Sequence, residues 1–144
     1  MYLWCTVSRE TDVAWCAGFF DGEGHVSYHR GYPSLTGNVS AQLYANVPQS
    51  ADNIEVLEFF RSVIGFGKIK GPYKMPGGKP QYKVQYGVTE VEPLFKILSP
   101  YLKKEKTTDF QIALMAYHAH DSKASMEDYR RLVKREMKKQ RKTV

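Results

Sequence analysis

The apolar positions of this 144-residue chain alternate between helical spacing and a period of two, in the order helix, hairpin, helix, hairpin, helices. Trp15, Phe19 and Phe20 give a bulky apolar face to a first helix over about residues 11–24, with Thr11 as its N-cap and Asp12 in its first turn. Strict alternation follows: Val26 and Tyr28 point one way, His25, Ser27 and His29 the other. After the loop at 31–38, a second strand at 38–47 sets Ala41, Leu43, Ala45 and Val47 on one face. Ser40, Gln42, Tyr44 and Asn46 lie on the opposite face.

Ser50 caps a second helix carrying Ile54, Leu57, Phe60 and Ile64, which Gly65 ends. A third strand near 67–70 presents Lys68 and Lys70 together. Beyond a glycine-rich loop, a fourth strand from Gln81 places Tyr82, Val84, Tyr86 and Val88 on the apolar face and Gln81, Lys83 and Gln85 on the polar one. A short helix near 92–98 has Thr89 and Glu92 at capping-box spacing. A helix near 108–120 uses Phe110, Ala113, Leu114 and Tyr117, and a last one over about 125–142 uses Met126, Tyr129, Leu132 and Val133. The pattern predicts one α+β domain over residues 1–144.

A hydrophobic fraction of 42% is enough for one sizeable core, and no compositional break divides the chain. The net charge of +6 favours a polyanionic partner. Two cysteines, Cys5 and Cys16, make no disulfide framework, and a reduced Cys16 on a packed helix fits an intracellular protein, cytoplasmic or organellar. The apolar start MYLWC is interrupted by Thr6, Ser8, Arg9 and Glu10, too short for a signal sequence, and no run is long enough to span a membrane. A soluble protein with no membrane partner is expected.

The chemistry concentrates in Cys16 to Gly24, CAGFFDGEG. A helix C-terminus carries roughly half a negative charge, so Asp21 and Glu23 there call for a compensating cation or donor. Gly22 and Gly24 let the chain leave the helix abruptly, and oxygen ligands of this kind suit Mg²⁺ or Ca²⁺. Ala14, Gly18 and Gly22, at i, i+4 and i+8 with Ala17 and Asp21 beside them, form a stripe on which a second helix could pack closely. A glycine-terminated core helix with two exposed acids is the plainer alternative. His118 and His120 do not share a helix face, which argues against a metal pair there.

These nine residues resemble the motif of LAGLIDADG homing endonucleases, with Cys16 in place of the first Leu, and the order of elements extends the resemblance over most of the chain. The resemblance implies an αββαββα core with a saddle-shaped antiparallel four-stranded sheet plus C-terminal helices. It implies an intron-encoded, Mg²⁺-dependent, site-specific DNA endonuclease, with Ca²⁺ or Mn²⁺ able to take the metal site. On this basis Glu23 is the principal metal ligand, the Gly22 carbonyl a second, and Asp21 occupies the first acidic position, with a structural or ligating role. Gln49 corresponds to a polar residue that orients water. The family's basic residue falls on Lys106 by apolar register but on Glu105 by counting from Pro100, with Lys103 and Lys104 nearby, and Asn53 stands where some relatives carry a basic side chain.

A single motif implies a homodimer joined through Ala14, Ala17, Gly18, Asp21 and Gly22, acting on a roughly palindromic double-stranded DNA target. The polar sheet face then supplies base readout through Ser27, His29, Gln42, Tyr44, Asn46, Lys68, Lys70, Gln81, Lys83 and Gln85, with Lys79 at phosphate. Eight of the 21 basic residues, Arg130, Arg131, Lys134, Arg135, Lys138, Lys139, Arg141 and Lys142, form a tail suited to phosphates or to plain solvation. The alternatives are an RNA maturase acting on intron RNA, a non-cleaving DNA-binding protein of the same fold, or a basic ribosomal-type RNA-binding domain, monomeric and without metal.

Overall fold

The computed structural model describes residues 3–30, 41–119, 131, 133–135 and 137–138. Its elements are α1 (Leu3–Glu23), β1 (His25–Arg30), β2 (Ala41–Ser50), a 3₁₀ turn (Ala51–Asn53), α2 (Ile54–Ile64), β3 (Lys68–Tyr73), β4 (Gln81–Tyr86), α3 (Val91–Leu98) and α4 (Lys104–Ala119). The sheet is antiparallel throughout in the order β1-β2-β4-β3, and the helices pack on its apolar face. The expected α+β order is therefore present.

Helix α1 begins well before Thr11, which lies inside the helix instead of capping it. No Pro or Gly separates Leu3 from Thr11, so nothing stops the helix from propagating upstream. At its other end the Phe20 carbonyl accepts the Gly24 N–H at 2.8 Å. A Cβ on Gly24 would lie 2.4 Å from the Phe20 ring, so packing alone demands glycine there. Phe20, fully buried, stacks on Phe110 at 5.2 Å, and Phe110 stacks on Phe95 at 4.9 Å, joining α1, α4 and α3. Trp15 departs from the expected core face: it is 44% exposed, stacked on Phe19 and edge-on to Phe59.

Strand β2 runs past Val47 to Ser50 and includes Pro48. Its pairing with β1 ends at His25 opposite Asn46, so Pro48 sits where only β4 is paired, and its missing N–H is tolerated. The beginning expected for this strand, at 38–40, and the loop before it lie outside the described residues. Gly65, at φ 96°, ends α2 as expected, but Ser50 does not cap that helix: its hydroxyl accepts the Asp52 N–H at the start of the 3₁₀ turn, and the residue before α2, Asn53, makes no side-chain cap bond.

Strand β3 continues beyond Lys70 through a register irregularity at Gly71, whose φ of 131° and contact with the Gln81 carbonyl admit no side chain. Strand β4 ends at Tyr86, so Val88 is not on the apolar face; it is 42% exposed in the following turn. The capping box of Thr89 and Glu92 does not form either. Glu90 precedes α3, and its carboxylate accepts the Gly87 N–H at 3.0 Å. Helix α4 starts a turn before Thr108, and in that first turn Thr107 and Thr108 donate their hydroxyls to the carbonyls of Lys103 and Lys104. Near the C-terminus Val133 is buried and Met137 accepts the Thr108 hydroxyl, while Arg131, Lys134, Arg135 and Lys138 are exposed. The start of the last helix near Ser125, His120, Arg130, Lys139, Arg141 and Lys142 lie outside the described residues.

Candidate metal and nucleic-acid interface

The last turn of α1 gives its two acids different environments. Both Asp21 oxygens accept the Lys103 backbone N–H, at 3.2 and 3.1 Å, directly before the first residue of α4. A carboxylate at a helix N-terminus satisfies an orphan donor and meets the positive end of the dipole. Of the two roles expected for Asp21 this contact is the structural one: the side chain joins the end of α1 to the start of α4. Glu23 is exposed and has no hydrogen-bond or ion-pair partner among the described residues.

Beyond Phe20, whose carbonyl takes the Gly24 N–H, the last carbonyls of α1, Gly22 among them, have no i+4 helical donor, because β1 follows. Glu23 and these carbonyls make an all-oxygen donor set, the chemistry that Mg²⁺ and Ca²⁺ prefer. Among the described residues there is no group of three or more His, Cys, Asp or Glu side chains that would close such a site.

The expected auxiliaries are divided. Lys106 is half-buried in the first turn of α4, the helix end that Asp21 ties to α1, whereas Lys103, Lys104 and Glu105 are exposed. Asn53 is exposed at the start of α2. Gln49 lies on the parity of Leu43, Ala45 and Val47, not of the readout set, and its carboxamide oxygen accepts the Ser50 N–H at 3.1 Å.

The opposite sheet face is brought together largely as the alternation predicts. Register puts Ser27 beside Tyr44 and His29 beside Gln42. One row crosses all four strands through His25, Asn46, Gln85 and Lys68, and a shorter one joins Lys83 to Lys70. His29 stacks on Tyr44 at 5.7 Å and shares a 3.1 Å hydrogen bond with its hydroxyl. Two further members of this face are absent from the readout set expected above. His25 was legible from strand parity, while Tyr73 was hidden because only the irregularity at Gly71 returns it to the face of Lys70, opposite Gln81. Lys79, expected at phosphate, is instead hydrogen-bonded to Asp52, which raises its pKa through that bond and the adjacent charge.

On α1 the exposed or half-exposed side is Thr11, Ala14, Trp15, Gly18 and Gly22. A methyl group added at Gly18 or Gly22 would meet nothing within 4 Å, so the stripe is open on this face. Ala17 corrects the expected seam: it is 0% exposed and belongs to the core of its own chain. Among the described residues no helix is long and apolar enough to cross a membrane.

A family profile described as LAGLIDADG endonuclease matches residues 16–117. The homing endonuclease I-CvuI, solved in complex with its target in the presence of 2 mM Ca, shares the fold at a TM-score of 0.64 and 19% identity, over 88% of this chain and 84% of that chain. A second I-CvuI structure, with an I-CreI target, 2 mM Mg and DNA not cleaved, gives 0.58 and 16% over 89% and 96%. The meganuclease I-AabMI bound to uncleaved DNA gives 0.58 and 24% over 73% of this chain but 35% of that longer one. No curated protein matches the chain in sequence.

Proposed function

Because the chain belongs to the LAGLIDADG endonuclease family, we propose that it is a site-specific homing endonuclease making a double-strand break in a long, roughly palindromic DNA target. The observation that carries this reading is the division of labour at the end of α1. Asp21 is spent on the α4 N-terminus, while Glu23, two residues on, remains an exposed carboxylate at a carbonyl-rich helix end. Glu23 and the Gly22 carbonyl are the groups that would hold a divalent cation, Mg²⁺ for cleavage. Such an ion, when bound, neutralises phosphate charge and activates water.

The remaining roles belong to the chain's own side chains. Asp21 fixes the height of α1 against α4 and so the position of Glu23. Lys106, in the first turn of α4, supplies positive charge at the same end of the domain. Gln49, its oxygen engaged by Ser50, keeps its amide protons to orient water. The polar sheet face enters a major groove and reads base edges, and the exposed cations of the C-terminal segment follow phosphates. Two copies pair through Ala14, Gly18 and Gly22, which would bring the two Glu23 side chains close to a two-fold axis and match a palindromic target.

The direct test supplies the DNA obtained by joining the sequences that flank the reading frame. With Mg²⁺ the protein should convert it to two defined double-stranded fragments. DNA that stays intact at saturating protein contradicts the reading.

A further inference from the structure

One patch of the polar face is built almost entirely of donors. Lys70 and Lys83 are direct cross-strand partners, and Lys68 lies two residues along β3 from Lys70 on the same face. Like charges placed opposite each other destabilise a sheet unless an anionic or acceptor surface covers them. No ion-pair partner for any of the three exists among the described residues. Among the described residues the one carboxylate that borders the same open cavity, Glu90, accepts the Gly87 N–H.

The patch is also held in place. The Lys83 ammonium lies over the Tyr73 ring, 5.4 Å from its centroid, and Gln85 donates its amide N–H to the Tyr73 hydroxyl at 3.3 Å. That bond leaves the Gln85 carbonyl oxygen as an acceptor on the sheet face that carries Lys68, Lys70 and Lys83. In a major groove only guanine presents two acceptors, O6 and N7, while its partner cytosine presents an amine donor. Adenine and thymine each set a donor or a methyl group against a lysine. Two residues along a strand span roughly 7 Å, about two base-pair steps.

Resting on the DNA-binding reading above, we infer that Lys68, Lys70 and Lys83, the last held over the Tyr73 ring, select a run of adjacent G·C pairs with the guanines on one strand in each half-site. The test is selection of bound duplexes by the full chain from a pool with randomised half-sites, in EDTA so that no bond is cut. The enriched half-sites should share at least two neighbouring guanines on one strand. Lys70→Met and Lys83→Met should each relax the preference for guanine over adenine about tenfold at one position. Enriched sites without such a run overturn the inference. So does a Lys83→Met chain that binds every sequence equally more weakly with a salt slope lower by about one, the signature of a phosphate contact. A pool from which nothing is enriched overturns the DNA-binding reading itself, and this inference with it.

Discussion

The Asp21 carboxylate accepts the backbone N–H of Lys103 through both oxygens, across 82 positions of sequence. This contact converts an acid that is unfavourable at the end of its own helix into a favourable one at the start of another. Asp21→Ala should therefore lower stability by about 1–2 kcal/mol, and Asp21→Asn, which keeps an acceptor but loses the charge, by less. Urea denaturation measures both. An unchanged midpoint for Asp21→Ala would show that the contact is not stabilising.

Two glycines of the motif segment, Gly18 and Gly24, should respond differently to alanine. Gly24→Ala forces a methyl into the Phe20 ring and should cost about 1–3 kcal/mol. Gly18→Ala meets nothing within 4 Å in its own chain, so it should stabilise an isolated subunit by up to about 1 kcal/mol through helix propensity. The same methyl would hold two motif helices apart. Sedimentation equilibrium of Gly18→Ala should thus show a weaker dimer, and an unchanged association constant would remove the stripe from the interface.

Much of the fold was written in the spacing of apolar residues. Leu43, Ala45 and Val47 alternate with Gln42, Tyr44 and Asn46, and burial follows that alternation because a half-buried strand leaves no other register. The failures have physical causes. Helix α1 has no stop signal upstream of Thr11, Tyr73 returns to the polar face only through the irregularity at Gly71, and Trp15 is apolar yet remains at the surface. The site was half legible: nine residues singled out Asp21 and Glu23, but the spacing could not show Lys103 as the partner of Asp21. That contact is tertiary, and no local pattern encodes it.

Alkaline pH should destabilise the fold. Burial, reinforced by the charge of Asp12, pushes the Cys16 thiol from 9.0 up to about 12. Burial also raises Tyr86, whose hydroxyl has no hydrogen-bond partner among the described residues. The folded chain keeps protons that the unfolded chain releases, so stability is full below about pH 9 and falls as pH rises toward 12. Denaturation midpoints across that range should decline, less steeply for Cys16→Ala. Tyr86→Phe, which removes a buried unpaired hydroxyl, should leave stability at neutral pH unchanged or raise it by up to about 1 kcal/mol. A large loss would reveal a partner for the hydroxyl.

The Asp52 carboxylate holds Lys79 at the loop before β4. Both are exposed, so Asp52→Asn should leave stability unchanged while freeing Lys79 for phosphate. Fluorescence anisotropy on duplex DNA at several salt concentrations should then show tighter binding and a slope steeper by about 0.9 for each recruited phosphate. Equal affinity and slope would mean that Lys79 does not reach the backbone.

In the proposed endonuclease Glu23 serves cleavage and nothing else. It is exposed and unpartnered among the described residues, so Glu23→Gln should leave folding and DNA affinity as they are. Cutting of the cognate duplex in Mg²⁺ by that variant is the measurement to make: bound, intact DNA is the expected outcome, and cleavage at the parental rate would contradict the role given to Glu23.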